Sequence, residues 1–151
     1  MIELRYRDTD RPPPAERLEV LVVDDHELNR RVMKLLLHEF DCRASFAAGG
    51  DEGIDQASTQ AFDLIFMDLN MPGIDGDEAT RSIRAAGASK ATFIVRWTTE
   101  ASLRLDRAIY DAQAPKPIQL PALADLLAEA ARRRFNHRWS PGAEARNRAD
   151  L

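Results

Sequence analysis

Apolar residues along this chain fall into two alternating kinds of run. Val20-Leu21-Val22-Val23 is continuous, as in a strand buried on both faces. Over 27–39, Leu28, Val32, Leu35 and Leu36 recur at helical spacing and predict an amphipathic helix. The alternation then continues. A weaker strand is predicted over Cys42 to Phe46 and a helix with a modest apolar face over 51–59. Leu64-Ile65-Phe66-Met67 reads as a third strand, Met71-Pro72-Gly73 as a turn, and 76–86 as a helix. Phe93-Ile94-Val95 marks a fourth strand, 100–108 a short helix, and Ala112 to Ala114 a weak fifth strand. The last helix starts near Ile118, with Leu120, Leu123, Leu127, Ala130 and Arg134 on one stripe.

Five strands alternating with five helices predict an α/β fold, a doubly wound five-stranded parallel sheet covered on both faces, with right-handed crossovers. Chemistry in such folds gathers at the carboxyl ends of the strands. Residues 1–17 are polar and contain Pro12, Pro13 and Pro14, which favours an extended, solvated leader. The domain proper then covers 18–131, and 132–151 are left as an extension.

The strand ends carry the informative residues. Asp24 and Asp25 end the first strand, Asp68 the third and Thr98 the fourth, and Lys116 follows the fifth, before Pro117. A parallel sheet brings these to one edge. Solvated strand-end acids are the bland alternative for any one of them. Three carboxylates together repel one another unless a hard divalent cation takes up their charge. Mg²⁺ suits such an all-oxygen set. An ionised aspartate beside Mg²⁺ and a lysine is a plausible nucleophile toward phosphorus, and Thr98 offers a hydroxyl to a phosphoryl oxygen.

With VLVVDDHELNRRVMKLLL, FDLIFMDLNMPGIDGDEATRSIR and the Lys116-Pro117 pair, residues 18–131 resemble CheY-like response-regulator receiver domains. The resemblance implies the strand order 2-1-3-4-5, an order the CheY fold is known for. It implies phosphoryl transfer from a histidine kinase to Asp68. Mg²⁺ would sit on Asp25, Asp68 and the carbonyl of Asn70, with Asp24 acting through water. Thr98 and Lys116 would bind the phosphoryl group, and Lys116-Pro117 would be a cis peptide. There are departures. The family's aromatic switch residue, three positions before the lysine, is Gln113 here. The Thr98-to-Lys116 spacing is about one helical turn short, so the fourth helix should be stunted. Arg96 and Trp97 are odd residues for a buried strand, and whether they or Tyr110 meet the extension is open.

Composition adds one decisive contrast. The chain has 151 residues, is 44% hydrophobic and 30% charged, and carries a net charge of -4. Residues 132–151 hold Arg132, Arg133, Arg134, Arg138, Arg146 and Arg148 against Glu144 and Asp150, a net +4, so the remainder is at -8. An acidic body argues against a DNA-binding domain and leaves a local anion site at the C-terminus. No apolar run approaches the ~20 residues of a membrane helix and no secretory signal is seen, so no membrane insertion is expected. The single cysteine, Cys42, excludes an internal disulfide, and a cytoplasmic location is expected.

The extension reads RRRFNHRWSPGAEARNRADL. Arginine pairs bidentately with phosphate and with guanine O6 and N7, and Phe135 and Trp139 offer stacking faces. Asn136 and His137 add donors. Ser140-Pro141 reads as an N-cap and first-turn proline of a short helix over 141–149. A solvated end, a lipid-surface contact, nonspecific RNA binding and Trp139 packed on the body are the competing readings. RRRFNHRWSP, with the altered fourth-helix region, resembles the CheY-like cyclic di-GMP effectors of the Cle group. That resemblance implies cyclic di-GMP bound by Arg133, Arg134, Asn136, His137, Arg138, Trp139, Ser140, Arg146 and Arg148. It also implies recruitment to the flagellar motor switch protein to tune motility. The alternative is a stand-alone phosphorelay receiver shuttling phosphate between a histidine kinase and a phosphotransferase. In neither case is a turnover enzyme expected.

Overall fold

Continuous apolar runs need cover on both faces, and the chain supplies it. A computed structural model describes residues 16–100 and 104–138. Strands β1 (Glu19–Val23), β2 (Arg43–Ala47), β3 (Leu64–Asp68), β4 (Phe93–Thr98) and β5 (Ala112–Pro115) form one parallel sheet in the order β2-β1-β3-β4-β5. Among the described residues the helices are α1 (Glu27–Glu39), α2 (Gly50–Thr59), α3 (Gly76–Ala85) and α4 (Leu120–Arg138).

Successive strand residues point to opposite faces, so each strand feeds two cores. Val20, Val22, Leu64, Phe66, Val95 and Trp97 pack with Met33 and Leu37 of α1 and Leu123, Leu127 and Ala130 of α4. Leu21, Val23, Ile65, Met67 and Ile94 pack with Ala57 of α2, Ala79 and Ile83 of α3, and Tyr110. Each fully buried Leu, Ile or Val contributes about 1.5–3 kcal/mol. The register pairs Asp68 with Trp97 and Thr98 with Pro115, which aligns the carboxyl ends of the three strands.

Three expectations are corrected. On α1, Leu28 and Leu35 are about 70% exposed and Val32 is exposed too. The inner face is Met33 and Leu37, with Leu36 and Phe40 partly buried against the same core. Helix α1 carries two adjacent apolar stripes, and helical spacing cannot say which faces the sheet. Second, the helix expected over 100–108 is absent among the described residues, where 104–106 are irregular and 107–109 form a turn. Leu105, Ile109 and Tyr110 of this segment cover the sheet in its place. Third, Leu120, expected on the inward stripe, is exposed; α4, expected to start near Ile118, starts at Leu120 and runs to Arg138. The boundary expected at 131/132 falls inside that helix. The leader up to residue 15, and Trp139, Ser140, Arg146, Arg148 and the helix expected over 141–149, lie outside the described residues.

The loop after β3 is held tightly. Gly73 has φ +77°, a region other residues rarely adopt. At Gly76 a Cβ would lie 2.1 Å from the Asp68 carbonyl oxygen, so only glycine lets α3 begin there. Asp75 caps α3, its Oδ1 accepting from the Glu78 N–H at 2.8 Å.

Candidate functional site

The carboxyl edge of the sheet gathers the predicted residues. Asp24 follows β1 and is fully buried, Asp68 ends β3 and is 4% exposed, and Thr98 ends β4 at 1%. Asp25 is half-buried beside them. The Lys116 ammonium reaches both buried acids, 2.6 Å from Asp24 Oδ2 and 2.9 Å from Asp68 Oδ1. The Lys116-Pro117 bond is cis, as the resemblance implied. Thr98 closes the edge: its Oγ1 accepts from the Glu100 N–H at 3.0 Å, and its carbonyl accepts from the Lys116 N–H at 3.1 Å. Asn70 lies two residues past β3 and is exposed.

Helix α1 fixes Asp24. The His26 N–H donates to Asp24 Oδ1 at 2.8 Å, Asn29 Nδ2 to Oδ2 at 3.0 Å, and Arg30 Nη1 to the Asp24 carbonyl at 2.8 Å. Asp68 is treated differently. Its Oδ2 is buried without a partner among the described residues. Burial pushes its pKa up to about 6 and the Lys116 hydrogen bond works against that, while Asp24 and Asp25 raise it further.

Ligand atoms of Asp24, Asp25, His26 and Asp68 lie within 4.8 Å of one another. His26 was not anticipated: its Nδ1 is 3.0 Å from Asp25 Oδ1, on an exposed side chain. Position is the only signal that could have found it, since it directly follows Asp24 and Asp25. Three hard carboxylates and an orphaned Asp68 oxygen fit a Mg²⁺ ion. Asp25 and Asp68 would hold it.

Two residues flagged as odd are now placed. Trp97 is buried, edge-on to Phe66 at 6.2 Å, and its ring lies 4.6 Å from the Lys116 ammonium. Arg96 is 3% exposed; its Nε donates to Gln113 Oε1 at 2.9 Å, its Nη2 to the same oxygen, and its guanidinium lies over Tyr110. Tyr110 is buried and donates its hydroxyl to Asp77 Oδ1 at 2.8 Å. Gln113, at the position of the family's aromatic switch, is thus committed to a cross-strand polar pair.

A second cluster lies at the opposite, amino ends of the strands. Arg133 Nη1 is 3.3 Å from Asp111 Oδ1 and its Nε 3.0 Å from Glu129 Oε1, with its guanidinium 4.4 Å above the Phe93 ring. Arg134 Nη1 donates to the Arg17 carbonyl at 2.7 Å and lies 3.3 Å from Asp63 Oδ2. Arg132 pairs with Glu129, and these guanidiniums hold Glu129 down at about 2. Phe135 is 64% exposed and Asn136 is exposed; His137 and Arg138 end α4. The predicted ligand-clamping residues within the described part therefore share one helix end, but Arg133 and Arg134 are already paired with the body.

The chain belongs to the response regulator receiver domain family, whose pattern matches residues 20–132. It is a receiver domain of two-component signalling. It is 36% identical over 138 residues to hybrid signal transduction histidine kinase A of Dictyostelium discoideum, covering 85% of this chain and 6% of that protein. It is 34% identical over 130 residues to sensor histidine kinase AtsR of Burkholderia thailandensis, covering 80% of this chain and 22% of that protein. The chain spans less than a quarter of either relative. Among solved structures it is similar to the receiver domain of sensor histidine kinase PA1611 from Pseudomonas aeruginosa, which has a magnesium ion coordinated in its active-site cleft. That match has a TM-score of 0.69 and 29% identity, and covers 76% of this chain and 98% of that one. Among the described residues no helix is long and apolar enough to cross a membrane.

Proposed function

We propose that this receiver is a cyclic di-GMP effector whose arginine-rich C-terminal segment binds the nucleotide and then docks to the flagellar motor switch protein, tuning motility and surface attachment. The observation that carries this reading is the course of α4. The helix continues for two turns beyond Ala130, its last core residue, and makes the start of the arginine run part of the receiver's own frame. Exposed Phe135 adds a flat face beside that run. Arg133, Arg134, Asn136, His137 and Arg138, with Trp139, Ser140, Arg146 and Arg148, would clamp two phosphodiesters and two guanines. Gln113 held on Arg96 supports an output that does not use an aromatic switch. Calorimetry tests this. The full chain binds cyclic di-GMP, a chain ending at Arg138 binds at least about tenfold more weakly, and one ending at Ala131 does not bind. Equal binding by all three, or none by the full chain, overturns the reading.

The carboxyl-end pocket supports phosphorylation of Asp68, so the chain works as a phosphoacceptor and binding module with no turnover substrate. An Asp68 carboxylate oxygen attacks phosphorus, the bond from phosphorus to the donor nitrogen or oxygen breaks, and the donor leaves with the electron pair. Lys116 stays between Asp24 and Asp68 and faces the new charge, and Thr98 offers its hydroxyl. Bound Mg²⁺ supplies neutralisation of the clustered negative charge.

A specific observation favours a second reading, the phosphorelay shuttle. Leu28, Val32 and Leu35 form an exposed apolar stripe on α1, whose first turn holds Asp24. A helical histidine kinase or phosphotransferase could seat there beside Asp68. Loss of phosphoryl transfer from a phosphotransferase in Leu28→Ser/Leu35→Ser, with acyl-phosphate labelling retained, would support it.

A further inference from the structure

The two arginines at the base of the extension are stored on carboxylates, and the details say what could release them. Asp111 stands between Arg133 and Arg84 of α3: Oδ1 faces Arg133 at 3.3 Å, while Oδ2 is 2.8 Å from Arg84 Nη2 and accepts from the Ile94 N–H at 2.9 Å. Glu129, one turn back on α4, supplies the second partner of Arg133. Asp63 holds Arg134 and also accepts from the Glu19 N–H at 2.8 Å. The side chains of Asp63, Asp111 and Glu129 are all less than a third exposed. Asp63 and Asp111 come from the loops before β3 and β5, so they tie the arginine helix to the amino ends of the sheet, while Glu129 holds Arg133 from within α4.

A guanidinium fork accepts a carboxylate and a phosphodiester with the same geometry. A ligand that uses Arg133 must therefore replace Asp111 and Glu129, one anion for another. Resting on the cyclic di-GMP reading, we infer that Asp111 and Glu129 form a built-in competitor, an autoinhibitory contact that the nucleotide's phosphodiester displaces from Arg133. A neutral ligand has nothing to exchange and leaves the contact closed. Displacement also lifts the Arg133 guanidinium from the Phe93 ring and leaves Asp111 with Arg84 and the Ile94 N–H. Ligand uptake is thereby felt where β4 and β5 begin and on α3, without passing through Asp68.

The test is calorimetry of cyclic di-GMP on the full chain and on Asp111→Asn and Glu129→Gln, with guanosine as the neutral control. The asparagine keeps an oxygen for the Ile94 N–H, and Glu129 takes no part in the sheet, so at least one variant stays folded, checked by its thermal melt. Each variant should bind the nucleotide about three- to tenfold more tightly than the parent. Without nucleotide, Arg133 should be modified faster by phenylglyoxal, as read by peptide mass analysis. Guanosine should not bind any of the three. A parent that binds, with both variants binding equally or more weakly, overturns the competitor and leaves the effector reading standing. No nucleotide binding by any of the three overturns both.

Discussion

The two ends of this sheet treat charge in opposite ways. At the carboxyl ends, Asp24 and Asp68 share one lysine with Asp25 beside them, and Asp68 keeps a buried oxygen without a partner among the described residues. At the amino ends, arginines and carboxylates are matched, and Arg133 and Arg134 each have at least one acid within ion-pair distance. Strands of this length separate the ends by roughly 15 Å. The unmatched end is poised for a cation and an electrophile. The matched end, on the proposed reading, opens only to a competing anion. One scaffold thus supports a reactive site and a latched one.

The strongest way to break the comparison is to remove the nucleophile. Asp68→Asn should abolish labelling by a small acyl-phosphate donor with Mg²⁺, read by intact mass, while cyclic di-GMP affinity stays within about twofold. If the variant is labelled as well as the parent, Asp68 is not the acceptor. Removing residues 139–151 should do the reverse, with labelling unchanged and nucleotide binding weakened at least about tenfold.

Stability sharpens the contrast. The folded pKa of Asp68, about 6, lies above its ordinary 3.8, so folding favours the protonated form. That penalty is absent below about pH 4, grows between 4 and 6, and is full above 6; it is worth up to about 3 kcal/mol. Asp68→Asn should therefore raise the melting temperature at pH 7.5 more than at pH 4, and Mg²⁺ should stabilise the parent more than the variant. A pH-independent difference would remove the desolvation argument. The smallest effect belongs to α1. Leu28→Ser/Leu35→Ser should shift stability by no more than about 0.5 kcal/mol per site, because neither side chain is in the core. A large loss in a denaturant melt would place the stripe back inside.

Much of the fold was legible because a strand buried on both faces is written as an unbroken apolar run, as in Val20 to Val23 and Leu64 to Met67. The carboxyl-edge cluster followed from that alternation, since a parallel sheet brings the ends of β1, β3 and β4 together whatever the loops do. What escaped depended on partners distant in sequence. The stripe Leu28, Val32 and Leu35 has the same periodicity as the buried Met33 and Leu37, and only the contacts of Leu36 and Phe40 with the sheet tell them apart. The 100–108 segment was read as a short helix, but Leu105, Ile109 and Tyr110 cover the sheet there. The arginine run showed as charge and as a resemblance, not as a set of ion pairs. That Arg133 answers to Asp111 and Arg134 to Asp63 is a matter of which loops the sheet order sets beside the end of α4.

Cys42 has a practical consequence. Partly buried against the α1 side of the core, its thiol is pushed up to about 12, mainly by burial, with Asp41 and Asp63 adding to the shift. At neutral pH this disfavours the thiolate that reacts with a maleimide. The native thiol should therefore label slowly with thiol dyes. A fluorophore attached through Phe135→Cys would report on the latched end of the sheet alone, with no need to remove the natural cysteine first.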